Sequence, residues 1–378
     1  MALAGACVLA RTFGERPALA HAIINNLGSI ETLFSLSEKE RESVFGPYSR
    51  YRDSLTDKAL DRGFKDLEDI SRLGAKAISV EDPLYPPLLR ECEDAPVILF
   101  YKSRSLPGDL FSQKMISIVG TRDISPYGTE WTGRIAASFA QSSCPPCIVS
   151  GLAFGVDITA HNSALRYNLP TIAVIPTGID GIYPHSHFGT AERIADTPGC
   201  AVVSDFFPGT STIKAYFIRR NRIIAGLSMA TILIESRKKG GGLITSHMAW
   251  GYGREVYALP GRIDDVRSEG CNALIEEKVA EPIVSLSQLS RKLGLGAEVR
   301  KTSWSESVKQ FYEGSGQQKG LLDMARTIEK CNGIDIEGLC NKCGYDYGRA
   351  LNLCGILQKD GFLQTDLLQR CIILAKNA

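Results

Sequence analysis

The feature that most constrains the fold of this chain is an alternation of short apolar runs and helical patterns that begins near Ser112. Strands that are apolar along their whole length are typical of a parallel sheet whose two faces are both covered by helices. We therefore predict a doubly wound, mostly parallel, Rossmann-like α/β sheet. The predicted strands are Met115–Val119, Ile148–Ser150, Thr171–Ile175, Ala201–Ser204, Thr231–Glu235 and Glu255–Leu259, and the helices between them are Tyr127–Gln141, Val156–Tyr167, Phe188–Ala195, Phe217–Leu227 and Leu243–Gly251.

Different patterns flank this region on both sides. Residues 1–80 have helical spacing, with a capping-box pattern at residues 37–40, and predict a small helical domain. One short strand is predicted in the proline-rich stretch that follows, at Val97–Tyr101. Residues 291–318 combine Gly, Ser, Gln and mixed charge without periodicity, which is typical of a linker. Residues 319–378 predict helices, a Lys-Asp-Gly turn and two short strands, the pattern of a winged helix. The predicted domain boundaries are therefore 1–80, 81–290, 291–318 and 319–378.

The charge of the chain is balanced overall but clustered locally. The sequence has 43 Lys and Arg against 42 Asp and Glu, so a globally basic nucleic-acid binder is not indicated. Between Lys214 and Lys239, however, seven basic residues stand against Glu235 alone. Apolar runs inside this stretch indicate that its charges lie at the ends of structural elements. An anion-binding site is therefore expected here, although basic residues of this kind are also common on a solvated helix face.

The sequence also suggests where the protein acts. No apolar run has the length of a membrane span, and no basic segment precedes the apolar residues at the start of the chain, as it would in a signal peptide. The 11 cysteines are scattered singly through apolar segments, as reduced core thiols are. We expect a cytoplasmic protein that makes no membrane contact.

Glycines follow four of the predicted strands where each strand ends. Ligands of a doubly wound sheet bind beyond the carboxyl ends of its strands, and glycine lets backbone N–H groups approach a phosphate closely. One glycine-rich turn indicates little, since such turns need glycine anyway, but four on one rim favour phosphate binding. The four segments are 119–128, 150–161, 176–187 and 235–245, and the basic residues among them include Arg122, Lys238 and Lys239.

Motifs for nucleotide cofactors are absent, and the candidate catalytic residues are weak. The chain has no P-loop and no G-x-G-x-x-G fingerprint, so no cofactor is expected. Asp157 and His161 lie one helical turn apart and could form an acid–base pair, but a helix cap with a packed histidine is the more ordinary interpretation. His185 and His187 have no third metal ligand nearby in sequence, which favours a loop.

Two cysteine pairs have the spacing of redox or metal sites. Cys144 and Cys147 precede a strand instead of opening a helix, which favours a turn over a redox motif. A second group could supply four zinc ligands, but its helical spacing favours core packing. That group consists of Cys331, Cys340, Cys343 and Cys354.

Six segments in a fixed order show a resemblance to a known family. They are IVGTRDISPYG, SGLAFGVDITAHNSAL, GIDGIYP, FIRRNRIIAGLS, GGGLITSHMAWGYGREVYALPG and GCNALI. Over about residues 85–285, this order and spacing resemble the DNA-processing protein A family (DprA, also called Smf). The resemblance implies a single-stranded DNA-binding protein of natural transformation, which protects incoming strands and loads the RecA recombinase onto them for homologous recombination. It also implies a homodimer formed through the Rossmann-like domain, no enzymatic turnover, and a SAM-like helical domain at the N-terminus.

The resemblance assigns roles to individual positions. Lys214 and Phe217, in K-x-x-F spacing, would grip phosphate and stack on a base, as single-strand binders do. Arg122 would contact phosphate. The remaining implied DNA-binding residues are Gly120, Ser150, Gly151, Arg220, Asn221, Arg222, Lys238 and Gly241. For DNA binding, we rank Lys214 and Phe217 first, Arg222 next and Arg219 last, because some of the arginines can instead stabilise the fold. Asn221 can instead form a hydrogen bond with the backbone at a helix start.

The chain departs from the family pattern at a few positions. His187 stands where the family usually has Asn, and Ile218 where proline is common. Gly241 and Gly242 stand where the family usually has Ser-Gly. The role of the loop that carries His187 is therefore open.

Two other functions remain possible on the sequence. Related Rossmann-type enzymes cleave nucleotides with a Gly-Gly-x-Gly-Thr rim, which residues 238–245 resemble weakly. Glu235 precedes that segment, but the next acidic residue is Asp264, so a catalytic pair of carboxylates is missing. A winged helix could instead read duplex DNA. Residues 319–378 hold eight basic and seven acidic residues, which favours a protein contact over strong phosphate binding.

Overall fold

The computed structural model describes residues 1–46, 49, 51, 54–296, 304–331, 333–366 and 369–374. The chain divides into two compact units, Met1–Glu298 and Val299–Ala378. Within the described residues, no helix has both the length and the apolar character that crossing a membrane requires.

The first unit begins with five helices. These are α1 (Ala2–Phe13), α2 (Pro17–Leu27), α3 (Ile30–Ser35), α4 (Glu38–Phe45) and α5 (Asp57–Arg72). The predicted capping box is present at α4, where Ser37 and Glu40 each accept a hydrogen bond from the other's backbone N–H. Helix α1 packs closely along α5, because Gly63 has no side chain: a Cβ there would lie 2.3 Å from the carbonyl oxygen of Ala4.

A mixed sheet forms the centre of the first unit and confirms the predicted mostly parallel α/β architecture. Its nine strands among the described residues lie in the order β1-β2-β6-β5-β4-β3-β7-β8-β9. All neighbours from β6 to β9 are parallel, whereas β1 and β2 add an antiparallel edge that the sequence analysis predicted only in part. The strands are β1 (Lys76–Ser79), β2 (Ile98–Lys102), β3 (Met115–Val119), β4 (Cys147–Ser150), β5 (Thr171–Val174), β6 (Ala201–Ser204), β7 (Ala230–Leu233), β8 (Glu255–Ala258) and β9 (Glu281–Pro282).

Helices cover both faces of this sheet, as buried strands require. Ile223 of α11 and Ala249 of α12 belong to one hydrophobic core, and Phe139 of α8 and Ala160 of α9 belong to another. Helix α11 begins one turn before its predicted start at Phe217. The helices are α6 (Pro87–Arg90), α7 (Pro107–Phe111), α8 (Pro126–Ala140), α9 (Val156–Arg166), α10 (Phe188–Asp196), α11 (Lys214–Leu227), α12 (Gly241–Gly251), α13 (Glu269–Glu276) and α14 (Leu286–Lys292).

The side of β3 on which the chain adds further strands changes after β6. From β3 the chain builds β4, β5 and β6 on one side, and then returns to place β7 on the other side. Buried hydroxyls of Ser117 and Thr231 share a 2.7 Å hydrogen bond between β3 and β7. A crevice opens at such a reversal, beyond the carboxyl ends of the strands, because the flanking connections diverge to opposite faces.

The second unit has a hydrophobic core of its own. It contains α15 (Trp304–Phe311), α16 (Gln318–Lys330), α17 (Ile336–Cys343), α18 (Tyr347–Lys359), β10 (Leu363–Thr365) and β11 (Cys371–Ile373). Helix α15 lies inside the predicted linker, residues 291–318, and its Val308 is fully buried in this core. Part of that linker, residues 297–303, lies outside the described residues. The division of the chain at residues 80, 290 and 318 stays a prediction.

Candidate nucleic-acid interface

A cavity of about 660 Å³ opens at the carboxyl ends of β3 and β7. It is formed by the loop after β3, the first two turns of α11 and the glycine-rich segment that begins α12, and we call it the switch-point cavity. Its lining includes Arg122, Tyr183, Lys214, Phe217 and Gly241. The glycine-rich rim predicted from the sequence therefore borders a real concavity.

Phe217 stands in this cavity as a half-buried aromatic ring. The guanidinium carbon of Arg122 lies 4.8 Å from its ring centroid. The ring of Tyr183 meets Phe217 edge-on, with centroids 5.4 Å apart and planes at 75°. Two neighbouring aromatic rings with a cation against one of them form a surface on which a nucleobase can stack.

Four exposed cations lie on the segments that form this cavity. Arg122, Lys214, Lys238 and Lys239 are all exposed to solvent. Within the described ranges, no salt bridge joins any of the four to a carboxylate. Because their charges are not neutralised by neighbours, they give this rim a positive potential that favours an anionic ligand.

Two helices begin at the cavity without a side-chain cap. The capping residues are Ile213 for α11, whose side chain is apolar, and Gly240 for α12, which has no side chain, so neither accepts a side-chain bond from the first turn. The first turns of both helices line the cavity, so their free N–H groups and positive dipole ends favour bound phosphate there. Gly242 allows this approach, because a Cβ there would lie 3.0 Å from the Cα of Gly120.

Two buried side chains of opposite charge, Arg220 and Asp157, lie at the base of the cavity. Arg220 is buried and donates from Nη1 to the carbonyl oxygen of Val174 at 2.7 Å. Burial lowers the pKa of Arg220 to about 10 and raises the pKa of Asp157, and the opposite charge of each partly offsets the shift of the other. Gly151 makes room for this pair: a Cβ there would lie 1.8 Å from Nη1 of Arg220 and 2.6 Å from Oδ2 of Asp157.

The other two arginines of the RRNR segment serve a different purpose. Nη2 of Arg219 and Nη2 of Arg222 donate to the same oxygen, Oδ2 of Asp205, at 2.9 and 2.7 Å. Arg222 and Asp205 are buried, and Arg219 also lies 4.6 Å from the ring centroid of Phe206. These arginines attach α11 to the end of β6. Arg222, which the sequence analysis ranks next after Lys214 and Phe217, is thus held in a buried ion pair, and its role in DNA binding stays a prediction.

The structure brings most of the sequence-predicted residues to one place. Those that line the cavity are Gly120, Arg122, Lys214, Phe217, Arg220, Asn221 and Gly241, and those that do not are Ser150, Gly151, Arg222 and Lys238. Ser150 is buried and donates from Oγ to the carbonyl oxygen of Ile118 at 2.7 Å. Asn221 lies in the middle of α11, so it does not cap a helix start. Tyr183 was given no role from the sequence; its position after β5, in the motif GIDGIYP, was the available signal.

The candidate catalytic residues have structural partners. Nδ1 of His161 shares a 2.8 Å hydrogen bond with Oγ1 of Thr171, and burial lowers the pKa of His161 to about 3. Nδ1 of His187 lies 2.8 Å from the carbonyl oxygen of Leu152. Leu152 has a φ of 59°, and the bond from His187 fixes this unusual backbone.

Glu235 holds the start of a helix. It is buried, and the backbone N–H of Ser125, the residue before α8, donates to its Oε2 at 2.9 Å. The hydroxyl of Ser125 donates to Oε1 as well. Both carboxylate oxygens of Glu235 are therefore engaged with the cap of α8.

The cysteines are distributed as core and surface thiols. Cys147 is buried in β4 and Cys144 is exposed just before it, and all 11 cysteines are free. In the second unit, Cys354 and Cys371 lie side by side in the core, and Sγ of Cys343 lies 3.3 Å from Oγ1 of Thr327. No group of three or more His, Cys, Asp or Glu side chains in the described ranges could hold a metal ion.

Comparisons with known proteins agree on one family. A family profile described as DNA recombination-mediator protein A matches residues 76–294. Protein Smf of Synechocystis sp. is 38% identical over 239 residues, which cover 61% of this chain and 57% of that protein. DNA processing protein DprA of Streptococcus pneumoniae is 40% identical over 203 residues, covering 53% of this chain and 68% of that protein. The matched region thus spans 57% of the length of the first relative and 68% of the length of the second.

Two solved structures resemble this chain, each over more than half of its length. The X-ray structure of DNA processing protein A from Streptococcus pneumoniae is 35% identical with a TM-score of 0.57, covering 65% of this chain and 83% of that one. DNA processing protein A from Helicobacter pylori is 28% identical with a TM-score of 0.51, covering 58% of this chain and 95% of that one. The Helicobacter structure gives insight into a single-stranded DNA binding mode of that protein.

Proposed function

Because this chain belongs to the DNA recombination-mediator protein A family, which includes the DprA and Smf proteins, we propose that it binds single-stranded DNA in the switch-point cavity. The observation that carries the proposal is the meeting of exposed Arg122 and Lys214 with the half-buried ring of Phe217 in one cavity. Single-strand binders combine a basic track for the backbone with aromatic platforms for the bases. The single-stranded DNA binding of the Helicobacter relative supports the same ligand here.

The binding mode follows from these contacts. Phosphates lie along Arg122, Lys214 and the free N–H groups at the starts of α11 and α12, with Gly120, Lys238 and Gly241 on the rim. A base stacks against Phe217 beside Tyr183, and Asn221 and Arg220 face the bound nucleotide from the base of the cavity. Every base has a π face, so this mode has little sequence preference.

Removing either exposed cation of the cavity is expected to weaken strand binding in a salt-dependent way. Arg122→Ala and Lys214→Ala should each flatten the plot of log K against log salt by about 0.7, because each loses one phosphate contact to single-stranded DNA. Titrating a fluorescent oligothymidylate at several salt concentrations measures this. The matched control is Arg104→Ala, which removes one exposed charge elsewhere. Unchanged affinity and slope in both cavity variants, with the fold intact, would contradict the assignment.

The proposed biological role is that of a recombination mediator. The protein protects incoming single strands in the cytoplasm during natural transformation and loads RecA onto them for homologous recombination. It acts as a homodimer through its Rossmann-like unit. Trp250, Ile263 and Val284, which lie near β8 and β9 along the chain and are 58%, 97% and 73% exposed in the single chain, are the candidate residues for that interface.

We also propose that the C-terminal unit is a winged helix that contacts protein. Helices α17 and α18 are joined through Gly344 in the left-handed region, with a φ of 69°, and β10 and β11 pair behind them. An isolated bridge between Asp335 and Arg370 supplies the short third strand of that topology. The nearly neutral charge of residues 319–378 supports a protein partner over duplex DNA.

Removing the C-terminal unit tests this division of labour. A chain that ends at residue 298 should retain single-strand affinity within about threefold, because the switch-point cavity and both cores of the first unit lie before that residue. An end at Leu289 would be unsuitable, since Leu293 and Leu295 belong to the core of the first unit. A loss of tenfold or more, about 1.4 kcal/mol, would show that the second unit contacts DNA.

The nucleotide-cleaving alternative is less well supported. Its candidate carboxylate, Glu235, is engaged by Ser125 at the start of α8. His161 is buried, and its lowered pKa keeps it neutral near pH 7, where it bonds Thr171. We therefore propose binding without catalytic turnover.

A further inference from the structure

A second cavity, of about 470 Å³, lies on the other side of α11. It is enclosed by the end of α1, the residues leading into α2, the segment after β6 and one face of α11. Its lining includes Arg16, Phe206, Thr210, Tyr216 and Arg219. None of these residues lines the switch-point cavity.

The second cavity repeats the chemistry of the first. Arg219 lies over Phe206 at 4.6 Å, as Arg122 lies over Phe217 at 4.8 Å. The half-buried Tyr216 packs against Phe206 with ring centroids 4.6 Å apart. Phe206 is buried, so Tyr216 is the ring of this pair that stays partly exposed to a ligand.

The charges of the second cavity leave one cation available. Arg11 donates twice to Asp66, and Arg219 donates to Asp205, so both are neutralised by carboxylates. Arg16 is exposed, and no salt bridge joins it to any carboxylate within the described residues. Glu15 is the exposed carboxylate of the lining. Strand binding at this cavity would therefore depend on the balance between Arg16 and Glu15.

One short segment connects the two cavities. Thr210 lines the second cavity and Thr212 lines the switch-point cavity, with exposed Ser211 between them. Two residues span at most about 7 Å. A stacked single strand rises about 3.4 Å per nucleotide, so about two nucleotides bridge this distance. Exposed Ile213 offers an apolar contact to a base on the way.

We propose that a single strand leaving the switch-point cavity crosses residues 211–213 and enters the second cavity, where Arg16 contacts its phosphate and Tyr216 its base. This inference rests on the proposed function and adds a direction to it: the strand passes over the N-terminal helices. The binding site is then longer than the switch-point cavity alone.

Strand length provides the test. For the full chain, affinity is measured on an oligothymidylate series from the shortest strand that binds to about 20 nucleotides. Arg16→Ala should leave the shortest strands unaffected but weaken the longest about three- to tenfold, and it should flatten the salt slope by about 0.7 on long strands only. Tyr216→Leu should weaken long strands about tenfold, as loss of a stacked base does. Glu15→Gln should raise the affinity for long strands, because it removes a negative charge from the cavity. Arg104→Ala, at an exposed salt bridge elsewhere, should change neither the affinity nor the salt slope at any length.

The outcomes distinguish a failure of the second cavity from a failure of the proposed single-strand binding. If the unaltered protein binds no single strand of any length, the proposed function fails. If it binds, but Arg16→Ala and Glu15→Gln have no effect at any length or the same effect at all lengths, only the second cavity is excluded as a binding site.

A titration with thymidine monophosphate distinguishes a site for a strand from a site for a free nucleotide. Saturable binding that Arg16→Ala abolishes, without a change on long strands, would assign the cavity to mononucleotides and overturn the path. Thermal unfolding of Tyr216→Leu confirms that its fold is intact.

Discussion

Replacement of Asp205 by alanine is expected to lower the free energy of unfolding by about 3–5 kcal/mol, because it leaves a buried arginine without its counter-charge. Arg222 donates to Asp205 at 2.7 Å, and both side chains are buried. Two further nitrogens of Arg222, Nε and Nη1, already lack a hydrogen-bond partner within the described residues. Loss of the carboxylate would therefore leave Nε, Nη1 and Nη2 of Arg222 all without a hydrogen-bond partner among the described residues. Urea unfolding followed by circular dichroism measures the change.

A matched carboxylate at the surface gives the control for Asp205. Asp196→Ala breaks the exposed salt bridge with Arg104, and such pairs contribute about 1 kcal/mol or less. Adding Arg222→Leu to Asp205→Ala should recover part of the lost stability, since an apolar side chain no longer needs a partner there. If Asp205→Ala destabilises no more than Asp196→Ala does, the arginines are not held as the structure shows.

Replacement of Phe217 by alanine is expected to reduce single-strand affinity about 5- to 150-fold, evenly across sequences. This range corresponds to the roughly 1–3 kcal/mol that stacking on an aromatic ring contributes for each base. Phe217 is only half-buried and does not belong to the hydrophobic cores. Its ring neighbours are Arg122 and Tyr183. Its loss should therefore change stability little. Binding isotherms and urea unfolding on the same variant measure both effects.

Phe139→Ala shows what a core role would look like. Phe139 is fully buried, and its truncation should lower the free energy of unfolding by about 3–5 kcal/mol. If Phe217→Ala behaves in the same way, and binds DNA poorly only as its fold fails, then Phe217 is a core residue. If stability holds and binding falls, the proposed loading of RecA can be examined. A variant that cannot hold the strand should not accelerate RecA filament growth, and full loading by such a variant would refute a mechanism centred on DNA.

Much of the fold was predictable because its signals are local. The run from Met115 to Val119 is short, rich in β-branched residues and apolar except at Ser117, which favours a buried strand, and five further runs repeat the pattern. The edge strand β1 was missed, because Lys76–Ser79 has only four residues, of which only the last two are buried, and it gains its place by pairing with β2. Helix α15 was missed because its apolar positions lie within a polar, unperiodic stretch, and only the core of the second unit explains them.

The sequence alone determined the sheet, the position of its glycine-rich rim and the presence of a cationic cluster at the start of α11. Only the tertiary structure decided which cations face a ligand. Successive residues of an α-helix point about 100° apart, so Arg219, Arg220 and Arg222 leave α11 in different directions. Packing against the sheet turns Arg220 towards Asp157 and Val174, and turns Arg219 and Arg222 towards Asp205, so Lys214 and Arg122 keep the exposed charges. Residue type sets which charges exist, whereas burial and the nearest carboxylate set which of them remain available to DNA.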